Sequence, residues 1–127
     1  MKTVKAKDLQ KGKCYAYYFE LEFEGIEVFN FFKVDGDIEK TRVEYTSEYN
    51  ETYFETKIKF SKKPSINIEI KNNDSIIGRS ITIHSTEECL YVDDIEFVEI
   101  KEDVIDYFLN NKDDMFDYAR NIVKNKK

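Results

Sequence analysis

With 41% hydrophobic, 15% aromatic and 36% charged residues, a chain of 127 residues carries enough apolar surface to order one core, and its length fits one domain over residues 1–127. Its 26 acidic residues against 20 basic ones leave a net charge of −6, which argues against binding duplex nucleic acid, because phosphate neutralisation needs a dominant basic face. One histidine, two cysteines and four scattered glycines supply neither a zinc-ligand cluster, nor a disulfide framework, nor a phosphate-cradling loop.

Alternating apolar and polar residues run through most of the first hundred positions and predict a mainly β chain, a barrel or sandwich of about seven antiparallel strands. Residues 4–9 read as a short first strand and 10–12 as a turn. Residues 14–23 form a long strand with Tyr15, Tyr17, Phe19, Leu21 and Phe23 on one side. Glu24-Gly25 and Asp35-Gly36 are two-residue hairpin signals, so strands 14–23, 26–34 and 38–46 are expected to pair as a meander. Two-residue turns fix the register: paired positions sum to about 49 in the first hairpin and about 71 in the second. One face then joins Tyr15, Tyr17, Phe19, Leu21 and Phe23 to Val34, Phe32, Asn30, Val28 and Ile26, with Thr41, Val43 and Tyr45 beyond.

Residues 52–60 alternate again, with Phe54, Ile58 and Phe60 inward, and Pro64 is expected to end that strand. Ile66, Ile68 and Ile70 make another strand. Asn72-Asn73-Asp74 turns it into a hairpin with 77–83, where Gly78 is read as a bulge. Over 89–100 the alternation changes phase at Asp93-Asp94, which marks a bend. From 102 to 125 the spacing becomes helical, with Val104, Ile105, Phe108, Leu109, Met115, Phe116, Ala119, Ile122 and Val123 in one stripe. The stripe stays in phase across Asn110-Asn111, so one bent C-terminal helix packed on the sheet is expected after a β-rich segment 1–100.

Charge comes in blocks: +4 over residues 1–13, −8 over 14–56, +4 over 57–86, −10 over 87–117 and +4 over 118–127. Such segregation steers partners of opposite sign. On the sheet face opposite the core, the same register sets Tyr18 beside Phe31 and Lys40, and Glu20 beside Phe29 and Arg42. Three aromatics on an outer face demand cover, by the helix, by a second sheet or by a partner.

The run Tyr91-Val92-Asp93-Asp94-Ile95-Glu96-Phe97 resembles the closing strand of jelly-roll carbohydrate-binding modules. That resemblance implies an acidic pair able to touch a structural calcium; on the residues alone Asp93 and Asp94 read as the bend, and neither metal nor cofactor is expected. His84 lacks a second histidine for metal binding, and Cys14 and Cys89 read as reduced, small strand residues rather than nucleophiles.

These features lead to a non-enzymatic interaction protein that binds a protein partner or a second copy of itself. Its contacts are expected at Tyr18, Phe29, Phe31, Lys40 and Arg42, guided by Asp93, Asp94, Glu96 and the other acids of 87–117. The alternative is a barrel or jelly-roll module that takes a small molecule or glycan through Tyr17, Asn30 and Thr41. No run of 18 apolar residues and no hydrophobic leader is present, so a cytoplasmic setting is expected, without a membrane. The lysine-, isoleucine- and asparagine-rich usage suggests a low-GC bacterium or its phage.

Overall fold

The computed structural model describes residues 2–72 and 77–124. Strand follows strand as the alternation predicts: β1 (Thr3–Lys5), β2 (Cys14–Leu21), β3 (Ile26–Val34), β4 (Glu39–Thr46), β5 (Thr52–Asn72), β6 (Ile77–His84), β7 (Glu87–Val92) and β8 (Glu96–Ile100). Helices α1 (Glu102–Asn110) and α2 (Lys112–Tyr118) follow, and α2 runs on into a π-helical segment, Ala119–Lys124. The strands form one curled antiparallel half-barrel in the order β1-β8-β2-β3-β5-β4, with β6 and β7 on β5. The chain is therefore mainly β with a C-terminal helix packed on the sheet.

Residues 6–9 of the expected first strand leave the sheet, and Ala6–Asp8 form a 3-10 turn. In the first hairpin β2 stops at Leu21, because Glu22–Glu24 coil into a 3-10 turn that Gly25 closes at φ 64°. A side chain with a Cβ adopts that left-handed backbone only at a cost. The loop thus takes four residues instead of two, and Tyr15 pairs with Phe32, Tyr17 with Asn30 and Phe19 with Val28. Every pair is displaced by two from expectation. An even displacement leaves each side chain on its expected face.

The second expected hairpin does not form. β3 pairs with β5, Phe31 opposite Ile66 and Phe29 opposite Ile68, while β4 pairs with the first half of β5. Thr41, Val43 and Tyr45 consequently leave the core, which takes Ile38 instead; Tyr45 stacks on Tyr53 with centroids 5.2 Å apart. Phe54 is also outside, half exposed under the Arg42 guanidinium.

Pro64 does not end a strand, for β5 runs straight through it. β7 pairs with β5 up to Lys62 and β6 from Ser65 onward, and on the opposite edge the β3 register jumps from Lys62 to Ser65. The missing proline N–H falls where no neighbour needs it. That jump is a bulge of one extra residue, and it inverts the alternation. Before it, Ile58 and Phe60 face the concave side; after it, Ile66, Ile68 and Ile70 face the opposite side. Gly78, by contrast, lies in unbroken register opposite Lys71, so no bulge exists there. Asn73 and Asp74 of the expected turn lie outside the described residues.

Two cores result. The concave one packs Tyr15, Phe32, Val34, Ile58, Phe60 and Phe97, and it takes Cys89 and Tyr91 from β7. On the convex side Ile105, Phe108, Met115, Phe116, Ala119 and Val123 bury Phe29, Phe31, Ile66, Ile68 and Ile70. The Phe31 ring meets Phe108 edge-on at 5.7 Å. The expected single helix is broken at Asn111 (φ −137°, ψ 65°). There the Asn110 and Asn111 side-chain amides donate to the carbonyls of Asp106 and Tyr107, satisfying groups that the helix end leaves open.

Glu27, nearly buried on β3, fastens the last turns to the sheet: Arg120 Nη2 lies 2.9 Å from one carboxylate oxygen and Lys124 Nζ 2.7 Å from the other. Burial pushes this carboxyl up, and the two cations outweigh burial and hold it below its ordinary value. A carboxylate lowered in the folded state contributes stability above its unfolded pKa and loses it as pH falls through the folded one. Denaturant melts should therefore show Glu27→Gln costing about 1 kcal/mol at neutral pH, with the gap to wild type closing on acidification below the ordinary glutamate range. Phe31→Ala should cost about 3–5 kcal/mol at any pH.

Candidate functional site

The residues expected to meet a partner are not brought together. Phe29 and Phe31 are 0% exposed beneath the helix, which corrects their assignment as contacts: the cover comes from within the chain. Tyr18 lies half-buried against Phe29 with centroids 4.8 Å apart. Lys40 and Arg42 are exposed on β4, which pairs with β5 and not with β3. Asp93 and Asp94 do form the bend between β7 and β8, where the backbone N–H of Ile95 donates to the Val92 carbonyl and that of Lys7 to Asp93. Glu96 is exposed at the start of β8. Among the described residues no three histidine, cysteine, aspartate or glutamate side chains converge as metal ligands. His84 sits exposed at the end of β6, opposite Ser65.

The sequence reading missed the most unusual chemical feature. By inverting the alternation, the bulge turns both Lys62 and Ser65 onto the concave side, where they bracket Asn30 of β3. Lys62, 2% exposed, donates to Asn30 Oδ1 at 2.7 Å and to the Tyr91 hydroxyl at 2.8 Å. Its ammonium also lies 4.5 Å from the centre of the Phe32 ring and 5.0 Å from that of Tyr91. Asn30 Nδ2 donates to Ser65 Oγ at 3.1 Å and to the Ile66 carbonyl at 3.2 Å; Ser65 Oγ donates in turn to Glu87 Oε2 at 2.7 Å.

A buried ammonium survives only with acceptors and ring faces around it, and burial still lowers the Lys62 pKa from the ordinary lysine value. Burial likewise pushes the Cys89 and Cys14 thiols up to about 11. Both cysteines are unpaired and stay protonated near neutrality. Pro64 was the one sequence signal for this site.

Large apolar side chains do reach water at the β2–β3 tip. Phe23, at the centre of the 3-10 turn, is 105% exposed, and Phe19 and Leu21 on the end of β2 are 40% and 39% exposed. Leu21 and Phe23, with Glu20 and Glu22, line a shallow cleft of about 290 Å³.

Neither a family model, nor a curated protein, nor a solved structure matches this chain.

Removing the acceptor of a buried charge leaves that charge uncompensated. Asn30→Ala should cost about 2–3 kcal/mol at neutral pH. Lys62 sheds its proton at lower pH in the folded than in the unfolded chain, so its burial penalty is relieved as pH rises toward the ordinary lysine value. The wild-type to Asn30→Ala difference, measured by denaturant melts, should shrink on going to alkaline pH; a constant difference would mean that Lys62 carries no charge in the folded protein.

Proposed function

We propose that this chain is a small non-enzymatic interaction protein that docks a protein partner on the β2–β3 tip. Phe23 is the anchor, Leu21 shares its cleft, and Phe19 is exposed two residues further back on β2. The observation that supports this reading is the fully exposed Phe23 ring sharing a cleft with the partly exposed Leu21, with Phe19 also partly exposed on the same strand. Soluble proteins seldom leave large apolar groups contiguous in water without an occupant, and aromatic anchors dominate the energetics of protein interfaces.

Glu20 and Glu22 flank the tip, and the chain carries −6 overall, so the complementary surface is an apolar pocket rimmed by lysine and arginine. Asp93, Asp94, Glu96 and the exposed acids of α1 and α2 add long-range attraction for such a partner. A non-catalytic role is favoured by the state of the reactive groups: the Lys62 amine is buried and engaged by Asn30 and Tyr91, and both thiols are held protonated. The free thiols fit a reducing, cytoplasmic setting, and no helix among the described residues is long and apolar enough to cross a membrane.

The alternative of a glycan or small molecule inside the barrel draws less support. Tyr15, Phe32, Phe60 and Phe97 fill that interior, Asn30 is already committed to Lys62 and Ser65, and Thr41 lies away on β4.

The test is capture from bacterial lysate by wild type and by a Phe19→Ser, Phe23→Ser double variant, followed by affinity measurement on the captured protein. The variant should keep its circular dichroism spectrum and lose at least about tenfold in affinity. Equal capture by both, or no partner for wild type, overturns the reading. Self-association that sediments as a wild-type dimer and vanishes in the variant would identify a second copy as the occupant.

A further inference from the structure

The five lysines of residues 1–13 oppose the overall charge, and the fold gathers four of them. Lys2, Lys5, Lys7 and Lys13 line a cleft of about 470 Å³ between β1, the 3-10 turn after it, the start of β2 and the outer part of β8. Asp8 and Glu99 are the acids in its wall. The lining therefore carries a balance of +2 in a chain whose total is −6.

Two of the lysines share one carboxylate. Glu99 bridges Lys13 Nζ at 3.1 Å and Lys2 Nζ at 3.4 Å; the hydrogen bond from Lys13, and then the charges of both lysines, keep the Glu99 carboxyl below its ordinary value against partial burial. It stays ionised near neutrality and lies between the two ammonium groups. Lys5 and Lys7 enter no ion pair among the described residues, and both are exposed. The backbone beneath them is fixed: Ala6 and Lys7 N–H donate to the carbonyls of Ile95 and Asp93 at 2.7 and 3.1 Å, and the Tyr15 hydroxyl accepts from the Gln10 N–H at 3.0 Å. The backbone of the wall is hydrogen-bonded into the sheet, and its lining keeps a surplus of two positive charges, with Glu96 opposite Lys5 on the neighbouring strand.

We infer that this cleft binds a small phosphoryl-bearing anion. A phosphate monoester is close to a dianion at neutral pH and offers three acceptor oxygens, matching both the residual +2 and the ammonium donors on several sides. The volume falls within the roughly 300–1,000 Å³ of small-molecule sites. A long polyanion fits less well, since Glu96 stands opposite Lys5 and the Asp93-Asp94 bend lies against Lys7, and these acids repel a phosphate chain that extends beyond the cleft. The site is separate from the β2–β3 tip and does not rest on the partner-binding reading.

The experiment is a titration of the full chain with inorganic phosphate and with pyrophosphate, followed by amide chemical shifts, against sodium chloride at equal ionic strength. Saturable shifts confined to residues 2–15 and 93–101 are expected. Lys7→Glu reverses a charge in the wall and should weaken binding about tenfold. Lys11→Glu makes the same charge change in the same segment, yet Lys11 is outside the lining and faces Asp37 at 3.6 Å, so its affinity should stay within about twofold of wild type. Phe23→Ser should bind phosphate as wild type does.

Shifts no larger than those produced by chloride, or equal weakening by Lys11→Glu and Lys7→Glu, would overturn the inference, since both outcomes describe diffuse attraction without a site. The same spectra report whether each variant keeps its fold.

Discussion

One extra residue in β5, between Lys62 and Ser65, governs the whole arrangement. The same sequence in unbroken alternation would present Ile58, Phe60, Ile66, Ile68 and Ile70 on one side, and a single sheet face would have to bury all five. With the bulge, the first two fill the half-barrel and the last three lie under the helix. Both faces of the central sheet thereby become cores, and β5 can pair with four other strands across its 21 residues. Pro64 suits the bulge because it asks for no donor where β6 and β7 both leave the edge open.

The same offset creates the polar cluster. Positions 62 and 65 share a face only because the alternation inverts between them, and the ammonium, the amide and the hydroxyl then close on one another in a space otherwise filled by rings. An apolar residue of similar length at position 62 would spare the protein a desolvation cost, so the cluster is not there for stability alone. What it adds is definition: a lysine bound to both Asn30 of β3 and Tyr91 of β7 fixes how the two halves of β5 are placed relative to those strands. On the convex side Glu27 does the corresponding work, tying β3 to the end of the chain through two cations.

Fold class was legible in the sequence because its signal is periodic. The assignment of β2 and β3 side chains to faces holds despite a wrong loop length, because a displacement of two residues preserves parity. Phe19, Leu21 and Phe23 nevertheless reach water, since the concave core stops near Tyr17 and periodicity says nothing about where a core ends. Pairing of β3 with β5 was hidden because Asp35-Gly36 supplies a local reversal signal, while the competing partner lies about 28 to 45 residues away and wins through the isoleucines it buries. The Lys62 cluster was invisible for a similar reason: parity counting across residues 61–65 assumes regular alternation, and Pro64 was read as the end of a strand instead of an insertion within one.

β8 slots between β1 and β2, and β1 has no other neighbour in the sheet. During synthesis the opening segment thus stays without its hydrogen-bond partner until residue 100 has left the ribosome, and the exposed edge of β2 waits as long. Closure over so large a sequence separation is slow relative to local hairpins. Lys2 and Lys5 beside and within β1 give that strand a charged edge until β8 arrives, a composition that disfavours pairing with the wrong strand.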